Sequence, residues 1–503
     1  MLKKFCQCLG LASLILVINY GDLLGGGADV RMHTPFALAR ICYAQIADIL
    51  IVAALFFVLL SALSRTRFYP WGRLVLAILI PPYLIERTQS FYPFDLIQGV
   101  VAGIFVVWAG LLLLLLLRFG KWYRRLMRVG SGVAAALVIF AVSSIAQMLW
   151  VARWRPAPNQ IDAAWETTPQ PPRQHPLLVW IIFDELSYDQ VFEHRAHDLN
   201  LHNFDALRSQ STLFTDAQPA GYHTVDVIPS LLTGKIVDKT RYNFHNRLWV
   251  HHESQSGWQP IDGADTIFGE AQSAGWRTAA VGWYNPYCAI YSDAIQNCYW
   301  TNHDMFDGLM AQNATFPENV VTPLRQVIRE MRSPARADRD LCTFDVRHRY
   351  QTHIDLQQHA LELLHTDQAD FIFLHFSVPH SPNIWSRIHD DYTQFCDSSY
   401  LDNLALTDRV LGNLLSVLEA SPRWDQTTLI VEGDHSWRID EWNWLPAWTQ
   451  EDDAASRGVF DPRPALIVHQ AGQSQPQTVS APWPLIQIHS VVEQILHGQP
   501  PTL

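Results

Sequence analysis

An abrupt division of chemistry near residue 155 constrains this chain more than any other feature. Residues 1–155 carry 15 Lys and Arg against 5 Asp and Glu, a balance of +10, whereas the rest carries 21 against 43, a balance of −22. Of the 21 histidines only His33 lies in the first part. That first part is built of long Leu, Ile and Val runs, more than a soluble fold of its length could cover, so a single soluble domain is excluded. The expected organisation is an α-helical membrane domain over residues 1–152, a Pro-rich linker over 153–176 and an exported globular domain over 177–503. A nucleic-acid partner is disfavoured, because the only part large enough to bind one is strongly acidic. An aromatic content of 12% excludes disorder.

Five apolar stretches, roughly 5–21, 41–63, 68–85, 95–117 and 130–151, are candidate spans. The third is the weakest, holding Arg73 and the pair Pro81–Pro82. The first follows Lys3–Lys4 as a cleavable signal would, but four further apolar runs favour an uncleaved anchor. Basic residues at Lys3 and Lys4, at Arg65, Arg67 and Arg73, and at Arg118, Lys121, Arg124, Arg125 and Arg128 fall in alternate loops. The positive-inside rule makes those loops cytoplasmic, and an odd number of spans delivers the residues after about 152 to the outer side. Asp48, near the outer end of the second span, is expected to be solvated at the interface, the other reading being a functional intramembrane carboxylate. Four of the seven cysteines lie in the exported part; an even number there favours two disulfides, Cys288–Cys298 and Cys342–Cys396, over four free buried thiols. No CxxC spacing supports a zinc cluster.

In the exported part Leu177–Phe183, 370–376, Thr278–Trp283, 427–431 and 464–469 read as buried parallel strands, each too short for a helix. Segments 263–274, 350–365 and 400–420 carry helical periodicity between them, which makes the fold class α/β with a doubly wound sheet. Sites in such sheets gather beyond the carboxyl ends of the strands. There stand Asp184 and Glu185, then His375, Pro379 and His380, then Asp434 and His435. Each alone reads as a helix cap or a core residue; together they are a set of oxygen and imidazole ligands without thiolate, suited to zinc, manganese, magnesium or calcium.

The segment GYHTVDVIPSLLTGK, residues 221–235, resembles the nucleophile region of the alkaline phosphatase superfamily, in its sulfatase-like branch. Two family registers reach the same residue: ten positions before Gly234 of LLTG, and five before Pro229 in the T-x-x-S-x-P pattern of phosphoethanolamine transferases, stands Thr224. FDELSYD at 183–189 resembles the first ligand-bearing strand end, FDALRSQSTLFTDAQPAGYHT at 204–224 the approach to the nucleophile and HFSVPHSP at 375–382 the substrate-side histidine segment. YLDNLALTDRVLGNLLSVL at 400–418 resembles the family's long helix and EGDHSWR at 432–438 its second ligand pair. Five spans before such a domain is the layout of lipoteichoic acid synthase-like and lipid A phosphoethanolamine transferase-like enzymes. The chain departs from the pattern at Ser436, where Gly is usual, and at Val227, where Ser is usual, which leaves the branch open.

The resemblance implies an alkaline phosphatase/sulfatase-type sheet and a divalent metal ion, zinc or manganese foremost, with magnesium or calcium as alternatives. Thr224 would be both ligand and nucleophile, Glu185, Asp434 and His435 would complete the shell, and Asp184 would be an additional ligand. The helix opening near Val225 would aim N–H groups at the phosphate. His380 and His375 would hydrogen-bond the phosphoryl oxygens or protonate the leaving alcohol; His375 is read equally well as a strand-end residue satisfied in the core. The implied activity is transfer of phosphoethanolamine or phosphoglycerol from a membrane phospholipid donor to a surface glycan or lipid acceptor through phospho-Thr224. The implied location is the bacterial cytoplasmic (inner) membrane, multi-pass, with the catalytic domain on the periplasmic or extracellular side. A membrane-tethered sulfatase-like phosphoester or sulfoester hydrolase is the alternative, and a non-enzymatic, degenerate family member the third reading. A sulfatase proper needs Cys or Ser at 224 for conversion to formylglycine. A two-metal phosphatase needs a further Asp-x-x-x-His pair; Asp198–His202 has the spacing but precedes the nucleophile, and His469 and His489 are distant candidates. No residue decides the donor head group.

Overall fold

The computed structural model describes residues 1–25, 32–87, 98–156, 158–161, 175–242, 247–253, 255–303, 315–332, 334–366, 368–445 and 447–503. Most of the expected linker, including Pro169, Pro171 and Pro172, lies outside them, as do Asp29, Arg31 and Asp95 of the intervening loops. The chain forms two compact units. The first comprises Met1–Gly27, Ala37–Arg155 and Gln312–Ala337, the second Ala28–Phe36, Pro156–Ala311 and Asp338–Leu503.

The first unit is helical. Among the described residues two helices, Ala39–Leu63 and Gly120–Val151, are long and apolar enough to cross a membrane, while Tyr69–Pro81 and Gly103–Arg118 are shorter apolar helices. At 1.5 Å per residue a 25-residue helix measures about 37 Å, against about 30 Å of hydrocarbon. The Arg73 guanidinium, which interrupts the third apolar stretch, donates to the Met127 carbonyl at 2.6 Å and to Ser131 Oγ at 2.7 Å. Its charge is thereby committed within the unit. Asp48 departs from expectation: on helix Ala39–Leu63 it is fully buried rather than solvated.

The second unit is built on a nine-stranded sheet. Its strands in chain order are β1 (Gln160–Ile161), β2 (Leu177–Phe183), β3 (Thr212–Phe214), β4 (Thr278–Trp283), β5 (Asn297–Thr301), β6 (Phe371–Phe376), β7 (Thr427–Glu432), β8 (Leu466–His469) and β9 (Gln477–Val479). In space they run β1-β5-β4-β6-β2-β7-β8-β3-β9. The five from β5 to β7 are parallel. β2 is apolar throughout because both of its faces are covered: Val179, Ile181 and Phe183 enter one core, and Leu178, Trp180 and Ile182 the other. Helix Tyr400–Ala420 packs on the first face through Leu404, Leu411 and Leu414, and helices Thr224–Thr233 and Ile488–Leu496 on the second through Leu231 and Val492.

Two expectations are corrected here. The 464–469 run forms β8 but pairs antiparallel with β7, since a buried apolar run fixes coverage on both faces and not direction. The 263–274 segment splits into a 3-10 turn, Gly263–Asp265, and a helix, Ile267–Ser273, because Thr266 is extended and caps the helix by accepting from the Phe268 N–H. The short strands β3, β5 and β9, and a small three-stranded sheet of Lys239–Tyr242, Leu248–His251 and Trp258–Ile261, carry no strong periodicity. Both expected disulfides, Cys288–Cys298 and Cys342–Cys396, are formed.

Candidate active site

The carboxyl ends of β2, β6 and β7 bring the candidate residues together. After β2 the chain turns sharply at Glu185, whose φ of 67° is rare for a non-glycine residue. Its neighbours hold that turn: Tyr400 Oη donates to the Glu185 carbonyl at 2.6 Å, and the Glu185 N–H donates to Asp434 Oδ1 at 3.2 Å. Asp434 and His435 follow β7, and His375 lies within β6, opposite Ile182 of β2 and Gly282 of β4.

Thr224 is the first residue of helix Thr224–Thr233, after an extended His223. Its hydroxyl donates to Asp184 Oδ2 at 3.0 Å and lies 3.2 Å from His435 Nε2. The other hydroxyl in the segment, Ser230, is fully buried, donates to the Asp226 carbonyl at 2.6 Å and accepts from the Val237 N–H at 2.8 Å. Ser230 is thus committed to the backbone. Gly234 ends the helix in the left-handed region at φ 69°, and a Cβ there would lie 2.6 Å from His489 Cδ2.

A group of ligand atoms from Asp184, His375 and Asp434 lies within 4.8 Å of one another, all three residues buried. Asp184 Oδ1, Asp434 Oδ2 and His375 Nε2 have no hydrogen-bond partner among the described residues. Leaving three such atoms dry is costly. His435 Nδ1 faces the Ser436 carbonyl at 3.0 Å, and its Nε2 lies 3.2 Å from Asp434 Oδ2 and 3.8 Å from Asp184 Oδ1. Burial and the Asp184 charge push the Asp434 carboxyl above its ordinary range. On Asp184 burial acts the same way, but the imidazoles of His380, His375 and His435 outweigh it and hold the carboxyl well below that range. Two buried carboxylates with unsatisfied oxygens beside imidazole nitrogens fit a divalent cation.

Glu185 is placed otherwise than expected. Its carboxylate accepts from Arg438 Nε at 2.8 Å and from Trp442 Nε1 at 2.8 and 3.0 Å, so it neutralises a buried guanidinium instead of joining the orphaned ligand atoms. His375 also differs: its Nδ1 meets Tyr287 Oη at 2.8 Å and its Nε2 lies 3.7 Å from Asp184 Oδ2, which sets it among the candidate ligands. His380 sits between two guanidiniums, with Arg438 Nη2 3.2 Å from Nε2 and Arg349 Nη2 3.4 Å from Nδ1. Nδ1 also hydrogen-bonds the Ser381 carbonyl. Burial and the two arginines outweigh Asp184 and push the His380 pKa well below its ordinary value. His380 thus presents Nδ1 to the Ser381 carbonyl and Nε2 to the Arg438 guanidinium at the edge of the site.

A cavity of about 270 Å³ opens beside Thr224 and is lined by His223, Trp283, Asn302, Arg349, His380 and Arg438, among others. Arg438 stands three residues after His435 in EGDHSWR, where proximity to a ligand pair was the available signal. Arg349, from helix Pro334–Thr366, belongs to no motif, and only the tertiary fold brings it here. Neither Asp198 nor His202 lines this cavity. His469 stacks on Trp424 and its Nδ1 faces the Gln210 carbonyl; His489 Nδ1 faces the Leu231 carbonyl. Neither lines this cavity, and His489 falls in a separate group with Glu270 and Glu493.

The sulfatase family model matches residues 176–487, more than half of the chain and the whole of this site. The chain belongs to the sulfatase family. No curated protein matches it. Among solved structures, the PsFucS1 sulfatase from Pseudoalteromonas sp. is 14% identical, with 64% of this chain and 68% of that chain covered and a TM-score of 0.43. A phosphonate monoester hydrolase of Agrobacterium radiobacter is 13% identical over 64% and 74% of the two chains, TM-score 0.40. A protein of the alkaline phosphatase superfamily from Vibrio parahaemolyticus is 16% identical over 68% and 69%, TM-score 0.37. Sulfatase-family enzymes are metal-dependent, and among the described residues three groups have donors for an ion: Asp184, His375 and Asp434, which are buried beside Thr224; Asp189, Glu193 and His194; and Glu270, His489 and Glu493.

Proposed function

We propose that this sulfatase-family chain is a membrane-tethered, metal-dependent phosphotransferase that moves a phospho-alcohol head group from a phospholipid to a cell-envelope glycan or lipid. The observation that carries the reading is the Thr224 hydroxyl at a helix N-terminus, hydrogen-bonded to Asp184 and next to His435. Threonine has no route to formylglycine, whereas its hydroxyl serves directly as a phosphoryl acceptor. Apolar helices in the same chain support the tether, and a tether keeps the domain near lipid at high effective concentration.

A divalent cation held by Asp184, Asp434, His435 and His375 beside Thr224 would supply Lewis-acid stabilisation of the hydroxyl oxygen and of phosphoryl charge. The N–H groups at the start of helix Thr224–Thr233 face that phosphoryl group. Arg438 and Arg349 offset its negative charge from the cavity wall. In the first step Thr224 Oγ1 bonds to phosphorus as its hydroxyl proton leaves toward Asp184 Oδ2, the bond from phosphorus to the diacylglycerol oxygen breaks, and that proton passes to the leaving oxygen. In the second, an acceptor hydroxyl attacks the same phosphorus and gives up its proton, the bond from phosphorus to Thr224 Oγ1 breaks, and that proton passes by way of Asp184 Oδ2 to Oγ1. The test is diacylglycerol release by the purified full chain from phospholipid vesicles, with and without a glycan acceptor. Release that needs Thr224 and is accelerated by the acceptor is expected. Release of free head group at an unchanged rate without acceptor would favour the hydrolase.

A further inference from the structure

A second set of ligand atoms converges at the far end of the nucleophile helix. His489 and Glu493 stand four residues apart on helix Ile488–Leu496, hence on one side of it, and Glu270 lies on helix Ile267–Ser273. One ligand atom from each lies within 4.8 Å of the others. Atoms bound about 2.0–2.2 Å from one zinc ion are about 3.4 Å apart in a tetrahedron and about 4.4 Å at most, so small side-chain rotations close this set on an ion. Glu270 Oε1 is 4.0 Å from His489 Nε2, too long for a hydrogen bond and within the spacing of two atoms that share an ion.

The imidazole is already oriented for this. A carbonyl only accepts, so at 3.2 Å from the Leu231 carbonyl His489 Nδ1 is the donor, and Nε2 is the atom left to face Glu270. Ring Cδ2 is seated so closely on Gly234 that a Cβ there would lie 2.6 Å from it. A ligating histidine whose other nitrogen donates to a backbone carbonyl is the arrangement that fixes a metal ligand. Glu270 Oε2 is buried with no hydrogen-bond partner among the described residues, and there neither Glu270 nor Glu493 pairs with a Lys or Arg. Two carboxylates this close repel unless a cation lies between them. The group at Asp189, Glu193 and His194 lacks that need: Arg457 donates to both Asp189 oxygens at 2.9 Å, and Arg463 pairs with Glu193.

We infer that Glu270, His489 and Glu493 form a second cation site, of zinc type because imidazole joins the carboxylates, separate from the ligands beside Thr224. Its ion ties helices Ile267–Ser273 and Ile488–Leu496 together and, through His489 and the Leu231 carbonyl, holds the C-terminal end of helix Thr224–Thr233, where positive charge is favourable. The test is zinc content of the full-length protein after equilibrium dialysis against zinc, with thermal unfolding followed in parallel. Wild type should hold two ions per chain and Glu270→Gln/Glu493→Gln one, the affinity at this site falling by about tenfold or more. The zinc-dependent rise in melting temperature should shrink in the same variant. Asp184→Asn/Asp434→Asn, which disables the ligands beside Thr224, should keep the ion at Glu270, His489 and Glu493, so failure of one site is read separately from failure of the other. Equal zinc content in wild type and Glu270→Gln/Glu493→Gln overturns the inference, as does loss of the second ion in Glu193→Gln, which would place it at Asp189 and His194.

Discussion

The Thr224 hydroxyl donates to Asp184 Oδ2 at 3.0 Å, so a helix N-terminus and the end of the central strand β2 meet at one hydrogen bond. Asp184 Oδ1 is left unsatisfied, facing the orphaned atoms of Asp434 and His375. Asp184→Asn and Asp434→Asn each remove a charged donor while preserving shape. Each should weaken metal binding by at least about tenfold, read by isothermal titration with zinc or manganese on the purified protein. Unchanged affinity in both variants would place the ion elsewhere.

Glu185 and Arg438 form a buried pair at 2.8 Å, and Trp442 donates to the same carboxylate. Glu185→Gln should therefore keep the bound metal, measured as stoichiometry after dialysis. Arg438→Met strands a buried carboxylate and should cost about 3 kcal/mol or more of stability in denaturant unfolding. Loss of the ion in the Gln variant would restore Glu185 to the metal shell.

Gly234 closes the nucleophile helix at φ 69° with His489 against it. Gly234→Ala forces a side chain into the left-handed region at a cost of roughly 1–2 kcal/mol, before the clash with the imidazole is counted. A drop in thermal stability is expected, and His489→Ala should recover the part due to the clash.

His353 is fully buried, and burial depresses its pKa from 6.5 to about 4. The unfolded chain then binds more protons than the folded one between those values, so this group's contribution is complete above pH 6.5 and is lost as the pH falls toward 4. The contribution is at most about 3 kcal/mol. His353→Gln should make stability less steep over that window, as followed by unfolding midpoints at a series of pH values.

Much of this site was legible in the sequence because its residues follow apolar runs whose burial is dictated by composition. Asp184 after LLVWIIF and Asp434 after TTLIV had to emerge at a sheet edge, and the LLTG turn fixed Thr224 relative to Gly234. What sequence could not supply was pairing across the fold. Nothing adjacent to Glu185 announces that Arg438, 253 positions later, takes its carboxylate. Nor does a helix position such as Arg349 declare that it reaches back to the Ser377 and Ser381 carbonyls beside His380. The direction of β8 was equally hidden, since a strand buried on both faces reads alike in either sense.

The most direct measurement is peptide mass spectrometry of the full-length protein after brief incubation with vesicles holding phosphatidylglycerol and phosphatidylethanolamine and no acceptor. The account predicts a glycerophosphoryl or phosphoethanolamine adduct on the peptide containing Thr224, absent in Thr224→Ala, a variant that should still fold and bind metal. Continued turnover by Thr224→Ala, or an adduct mapping to Ser230, would contradict it.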